Sequence, residues 1–304
     1  MNFVVVDVET ANPDLSSICQ IGIACFRDGR LKNSWESLVN PEDEFDPLHV
    51  SIHGIDEEKV RGCPNWAAVY PEVSRLLQSN IVASHTPFDR VALHRACERY
   101  QLVHSEYRWL DSAMVVRRAW PMFSRSGYGL SNVAAEFGIQ YTPHDALQDA
   151  CCAGEVLLRA IAESGISIDA WLERVKQPIN LPVRTTTELA SPRPPRALPR
   201  PAPAVARCGN PEGPLFGEVL VFTGALSMPR HEAADAASAA GCEVATSVSK
   251  HTTLLVVGDQ DIRKLAGYEM SSKHRKAEEL MSQGQNIRVI TESDFKRITD
   301  LVNG

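Results

Sequence analysis

The stretch Phe3-Val4-Val5-Val6-Asp7-Val8-Glu9-Thr10 decides the fold of the first half of the chain. Its apolar run opens a strand that continues to Val8, and two carboxylates arrive before a helix or turn has had room to begin. Side chains at i and i+2 of a strand project from one face, so Asp7 and Glu9 meet the same space. Like charges held that close are unfavourable unless a cation joins them. The stretch therefore reads as a strand with a place for a cation at its end.

Outward from it, Ile18 to Phe26 and Ser34 to Leu38 have strand composition, with Asp28-Gly29 turning one into the other. Trp66 to Leu77 has helical spacing, Ile81 to Ser84 is a short buried strand, and Phe88 to Arg99 is a helix in which Val91, Leu93 and Ala96 suit packing. Leu130 to Phe137 and the long, Ala- and Leu-rich Ala146 to Ala162 are further helices. A hairpin edge followed by alternating strand and helix predicts an α/β fold, a mixed sheet with helices against it.

With 304 residues the chain has room for more than one core. Between Pro178 and Pro214 lie ten of the nineteen prolines, with five arginines against Glu188 and Glu212. Such a segment buries too little to offset its ordering entropy and reads as an extended, semi-stiff tether. The expected division is a first domain over residues 1–177, a Pro-rich linker over 178–214 and a second domain over 215–304.

The net charge of −7 argues against a broad basic surface for nucleic acid, yet allows an acidic pocket in which bound metal reverses the local sign. Eight cysteines are scattered without a Cys-x-x-Cys pair, which reads as free thiols in a reducing compartment. No run approaches the roughly 18 apolar residues of a membrane span, and the start lacks a basic leader. The expected location is the cytoplasm, with no membrane partner.

Three further ionisable groups can complete a cation site with Asp7 and Glu9. Asp89 begins the helix after the strand Ile81 to Ser84, where it can reach back over the sheet end; Asp149 lies about one turn into the long helix, and His144 falls just before that helix. Groups remote in sequence thus meet at strand ends and helix starts. Magnesium and manganese prefer oxygen ligands, and two such ions about 4 Å apart can hold an attacking water and a leaving 3'-oxygen in line across phosphorus. In that scheme Asp7 bridges both ions, Glu9 and Asp149 serve the one that makes the nucleophile, and Asp89 helps hold the other. His144, with an ordinary pKa of about 6.5, is the base candidate. Singly, each residue also reads as a cap, a first-turn charge or a surface histidine. The ordered set carries the argument.

On these residues the chain resembles the DnaQ-like family of 3'-5' exonucleases, the histidine-bearing DEDD group with an RNase H-like fold. The first motif, Asp-x-Glu-Thr, is Asp7-Val8-Glu9-Thr10; the second ends in Phe88-Asp89; the third, His-x-x-x-x-Asp, runs from His144 to Asp149. Gln20-Ile21-Gly22, His53-Gly54-Ile55, Leu110-Asp111-Ser112 and Tyr128-Gly129-Leu130 also fit, so the resemblance spans nearly all of residues 1–170. It implies two Mg2+ or Mn2+ ions held by Asp7, Glu9, Asp89 and Asp149, a cut from a free 3' end and release of nucleoside 5'-monophosphates. DNA, single-stranded or at a frayed duplex end, is the expected substrate, and RNA is the competitor because the same fold trims RNA ends. The resemblance places Thr10 and His85 near the terminal nucleotide, and Phe88 either beneath the site as a further substrate contact or in the core alone. His85 stands where the family commonly has Asn, so a difference is expected in end preference. The alternatives are an exoribonuclease of the same fold and a non-catalytic scaffold; a scaffold would have lost an acidic ligand, and none is lost here.

The second domain has its own pattern. A strand from Gly217 ends in the Thr223-Gly224 turn, followed by a helix near Arg230 to Ala240, strands near Glu243 to Ala245 and Thr253 to Val257, a helix from Ser272 to Met281, a strand from Arg288 to Ile290 and a helix from Glu292 to Asp300. This small α/β unit resembles the BRCT domain, above all the one that ends bacterial NAD-dependent DNA ligases. The matching pieces are Phe222-Thr223-Gly224, Gly241, Thr253 to Gly258, Lys273, Lys276-Ala277 and Ile290 to Phe295, with Phe295 where many such domains have a core Trp. Residues Asp259 to Ser271 make one connection longer than a minimal domain needs. The resemblance implies a phosphate pocket formed by the Thr223 hydroxyl, the Gly224 N–H and the Lys276 ammonium, with Arg230 assisting, for a DNA 5'-phosphate or a phosphoprotein partner.

Overall fold

The computed structural model describes residues 2–124, 127–179, 206–259 and 271–303. The first unit contains strands β1 (Asn2–Thr10), β2 (Ile18–Arg27), β3 (Arg30–Leu38), β4 (Ile81–Ser84) and β5 (Arg108–Asp111), ordered β3-β2-β1-β4-β5 in one sheet. β1 and β2 pair antiparallel, as do β2 and β3, while β4 and β5 are added parallel to β1. This is the expected mixed sheet, in an RNase H-like arrangement.

The opening run explains why β1 is central. Val4 and Val6 enter a core with Trp66, Leu77 and Leu93, whereas Phe3 and Val5 enter another with Phe26, Val156 and Trp171. A strand covered on both faces must be apolar at every position, and all four of these residues have no exposed surface. Helices α1 (Pro47–His53), α2 (Trp66–Leu77), α3 (Phe88–Arg99), α4 (Ser112–Ala119), α5 (Leu130–Phe137), α6 (Ala146–Ser164) and α7 (Ile168–Arg174) follow in the chain. α2 and α3 supply the first core, and α4, α6 and α7 the second.

Four elements, β5, α1, α4 and α7, have no counterpart in the sequence reading. Each has four to eight residues, a length at which pattern alone marks some elements, as it does Ile81–Ser84 and Leu130–Phe137, and not others. The three helices begin on side-chain caps instead, with Asp46, Asp111 and Ser167 accepting first-turn N–H groups.

The second unit holds β6 (Val219–Thr223), β7 (Glu243–Ala245), β8 (Leu254–Val257) and β9 (Arg288–Thr291), all parallel and ordered β7-β6-β8-β9. Its helices are α8 (Arg230–Ala239), α9 (Ser272–Ser282) and α10 (Glu292–Asn303). Phe295 is buried and meets Phe222 edge-on at 5.5 Å, so the small core is organised around an aromatic pair.

Most of the expected tether, 180–205, lies outside the described residues, as does 260–270 in the long connection after Asp259. Residues 206–214, also read as tether, are fastened to the second unit. Arg207 and Val244 exchange backbone hydrogen bonds of 3.2 and 2.9 Å, and Asn210 N–H donates to the Ser238 carbonyl at 2.8 Å. The proline count hid this. Gly209 is the informative residue, because a Cβ there would lie 1.9 Å from the Gly241 carbonyl oxygen.

The two units pack together. Asp294, fully buried at the start of α10, accepts from Leu15 N–H at 2.8 Å and pairs with Arg95 of α3 at 2.7 Å. Arg117, buried in α4, donates to the Gly213 carbonyl and, at 2.9 Å, to the Pro214 carbonyl. Among the described residues no helix is long and apolar enough to cross a membrane.

Candidate metal centre and active-site cleft

A cleft of about 380 Å³ lies between the units; Asp7, Glu9, His144 and Asp149 line it from one side, Phe216 and Arg288 from the other. Asp89, Thr10 and Phe88 line an adjoining recess of about 60 Å³ that shares Glu9, His144 and Arg288. Asp7, Glu9 and Asp149 each bring a ligand oxygen within 4.8 Å of the others.

Uncharged residues of β2 make that convergence possible. Gly22 is the register partner of Asp7, and a Cβ on it would lie 2.3 Å from the Leu147 backbone nitrogen, so only glycine lets the first turn of α6 approach the sheet this closely. Gln20, the partner of Glu9, accepts the Ala146 N–H at 3.2 Å and fastens the same turn. Asp149 comes three residues later. His144 precedes α6 with a φ of 64°, a left-handed conformation in which its N–H donates to Asp149 Oδ2 at 2.7 Å.

Asp89 is buried in the first turn of α3 and accepts the Val8 N–H at 3.1 Å, which ties that helix to the end of β1. The strand carries a bulge between Glu9 and Thr10. His53 fastens the strand beyond the bulge. Ile55 N–H donates to its Nδ1 at 3.0 Å, so the proton is on Nε2, which donates to the Thr10 carbonyl at 3.2 Å. The His53-Gly54-Ile55 match thus has a structural role at the site's edge.

Burial, reinforced by mutual repulsion, raises the four carboxyls above their usual range. Asp7 is held well above it, with the Asp89, Asp149 and Glu9 charges adding to burial. Glu9 is pushed to about 8, Asp89 to about 7 and Asp149 to about 6, burial being the largest cause each time. The Val8 and His144 N–H groups pull Asp89 and Asp149 back part of the way. Oxygen donors that cannot all ionise together without a counter-charge fit a hard divalent cation such as Mg2+ or Mn2+. Burial lowers the pKa of His144, which leaves its imidazole neutral at pH 7 and able to take a proton.

His85 has a different task from the one expected. Its Nε2 and Nδ1 lie 2.8 Å from the Tyr128 carbonyl and from Ser112 Oγ, respectively. A carbonyl can only accept, so Nε2 donates and Nδ1 accepts the hydroxyl; burial holds the ring's pKa down to about 4. Its polar atoms therefore anchor the Tyr128-Gly129 loop to α4 and are not free for a terminal nucleotide. Phe88 is buried as core and also carries the Arg288 guanidinium 4.3 Å above its ring.

In the second unit the expected phosphate contacts are drawn apart. The Thr223 and Ser271 hydroxyls bond each other at 2.5 Å, and Arg230 donates to the Phe222 and Gly224 carbonyls. Lys276 pairs with Glu279 at 2.7 Å on the exposed side of α9; Lys273, one turn earlier, is the lysine that reaches the turn, donating to the Phe222 carbonyl at 2.9 Å. Arg288 was invisible to sequence reasoning, because as an isolated exposed residue at the start of a short strand it acquires meaning only from docking.

The chain is 25% identical over 162 residues to the "3'-5' exonuclease DinG" of Staphylococcus epidermidis, a match that takes 52% of this chain and 18% of that relative. The chain thus spans less than a fifth of the length of the curated relatives it matches first. Among solved structures, "Exonuclease X in complex with 5' overhanging duplex DNA" is 22% identical, with a TM-score of 0.47 and coverage of 56% of this chain and 98% of that one. A 3'-exonuclease described in "3'-end specific recognition of histone mRNA stem-loop" is 16% identical, with a TM-score of 0.48 and coverage of 54% and 82%. Residues 210–298 match the BRCA1 C Terminus (BRCT) domain model. Residues 4–157, over half of the chain and containing all four carboxylates with His144, match the model described as Exonuclease, and the chain belongs to that family.

Proposed function

We propose that the chain is a Mg2+- or Mn2+-dependent 3'-5' exonuclease that removes nucleoside 5'-monophosphates from single-stranded or frayed DNA 3' ends. The convergence of Asp7, Glu9 and Asp149 within 4.8 Å, in a cleft shared with His144, carries this reading. Asp7, Glu9, Asp89 and Asp149 would hold the cations. When bound, such ions supply an activated water and neutralise charge on the leaving 3'-oxygen. The neutral His144 imidazole takes the water's proton on a ring nitrogen, and the buried Asp89 keeps α3 against the end of β1 while it does so. The 3'-5' polarity is supported by the name of the DinG relative.

DNA is favoured over RNA by the fused BRCT domain, read through its resemblance to the ligase type as a module for DNA ends or a phosphoprotein. Tethering raises the local concentration of the nuclease near such an end. The test is hydrolysis of 5'-labelled DNA and RNA of matched sequence, in magnesium and in chelator. Shortening from the 3' end, faster on DNA and absent in chelator, is expected. Asp7→Asn should cost more than ~100-fold, beyond what outer partners of a metal site contribute. RNA shortened as fast as DNA would overturn the substrate assignment, and a fully active Asp7→Asn variant the mechanism.

A further inference from the structure

Arg288 is the first residue of β9, yet its guanidinium belongs spatially to the nuclease cleft. It stacks over Phe88, the chain neighbour of the ligand Asp89, and lines both the main cleft and the recess beside it. Its positive charge reaches all four carboxyls, lowering each from where burial alone would put it. Among the described residues its side chain makes no hydrogen bond, and it lies within 4.0 Å of no carboxylate oxygen. A guanidinium has five N–H donors in a planar fork that matches a phosphate edge. Here the ring lies beneath the guanidinium, and among the described residues none of its donors is taken.

The charge balance of the cleft says what those donors face. Four carboxylates neutralise two divalent cations, so a phosphodiester adds a negative charge and the phosphomonoester product nearly two, with no lysine among the residues lining the cleft. Were Arg288 a plug that replaces the metals, it would pair with the carboxylates; instead it stacks on the ring at their margin.

We propose that Arg288 is a substrate-contacting residue of a composite active site, in which the C-terminal domain supplies the cation that grips the phosphate of the 3'-terminal nucleotide. The inference rests on the nuclease function proposed for the cleft. The second domain then does more than target the first: it completes the cleft. Arg95 with Asp294 and Arg117 with the Gly213 and Pro214 carbonyls hold it in register.

The experiment uses the full chain, its Arg288→Ala and Arg288→Lys variants, and thymidine 5'-monophosphate against thymidine as probes, titrated calorimetrically in Mg2+. Loss of a charge-assisted contact should weaken monophosphate binding by about 10- to 100-fold in Arg288→Ala while thymidine binding stays as in the parent, and Arg288→Lys should recover part of the loss. The kcat/KM for a single strand should fall with the same order of variants. Equal monophosphate affinity in parent and Arg288→Ala, or no measurable affinity in the parent, overturns the proposal. So does a faster or tighter-binding Arg288→Ala, which would mark a plug. A parent that binds the monophosphate through Arg288 yet cleaves neither DNA nor RNA would instead break the nuclease reading and leave the contact standing.

Discussion

Each of the two units carries a polar cluster where its central strand ends. At the end of β1 stand Asp7, Glu9, Asp89 and Asp149, whose charges oppose one another, with the Val8 and His144 N–H groups donating to Asp89 and Asp149. At the end of β6 stand Thr223, Arg230 and Lys273, whose donors are spent on Ser271 and on the carbonyls of Phe222 and Gly224. The first cluster needs something from outside the chain. The second is largely satisfied from within, and its remaining cation, Lys276, is turned to Glu279. Unmet electrostatic need, more than residue type, separates a site from a well-made turn.

The sharpest way to break this contrast is to mutate both ends. Asp149→Asn should lower hydrolysis of a short single strand by more than ~100-fold, whereas Thr223→Val should leave it unchanged. Comparable losses in the two variants, measured as kcat/KM, would mean that the second turn takes part in turnover. Next in size, Gly22→Ala should destabilise the first unit by roughly 1–3 kcal/mol, since the added methyl meets helix backbone that cannot yield cheaply. An unshifted urea midpoint would show that α6 is not pressed on β2 as described.

The pH dependence tests the need itself. The cleft carboxyls have higher pKa values folded than unfolded, so the folded state holds more protons. Without metal, their contribution is fully present below about pH 4 and is lost as pH rises through about 6, 7 and 8 for Asp149, Asp89 and Glu9. The melting temperature in chelator should therefore fall from about pH 6 to about pH 8, and Mg2+ should restore more at the upper end. A flat profile, or one insensitive to Mg2+, would contradict the cluster's frustration. The smallest effect belongs to the second turn: Lys276→Ala removes an exposed pair and should change stability by less than ~0.5 kcal/mol.

Much of the first unit was legible because its signals are local. Phe3 to Val6, the Asp28-Gly29 turn and the periodicity of Trp66–Leu77 each state their structure within a few residues. β5 and the helices begun by Asp46, Asp111 and Ser167 were not legible: β5, with Arg108 and Asp111 at its ends, lacks the apolar run Ile81-Val82-Ala83 by which the equally short β4 declares itself, and the three helices, of seven or eight residues, start on side-chain caps. The motif residues Asp7, Glu9, His144 and Asp149 line one cleft, with Asp89 in the recess beside it. His85 departed from expectation because its partners, Ser112 and Tyr128, are 27 and 43 residues away. Residues 206–214 did so because backbone passing close to Gly241 outweighs a proline-rich composition.

Strand alternation alone places two carboxylates on one face of β1, and like-charge repulsion alone demands a cation there; both are read from eight consecutive residues. Which groups answer that demand is a matter of packing. Gly22 lets α6 bring Asp149 in, Val8 N–H holds Asp89, and the Asp294–Arg95 contact docks a second unit whose Arg288 no local pattern marks. Periodicity is written between neighbours in the chain, whereas a cation 4.3 Å above an aromatic ring 200 residues away exists only once two cores have closed on each other.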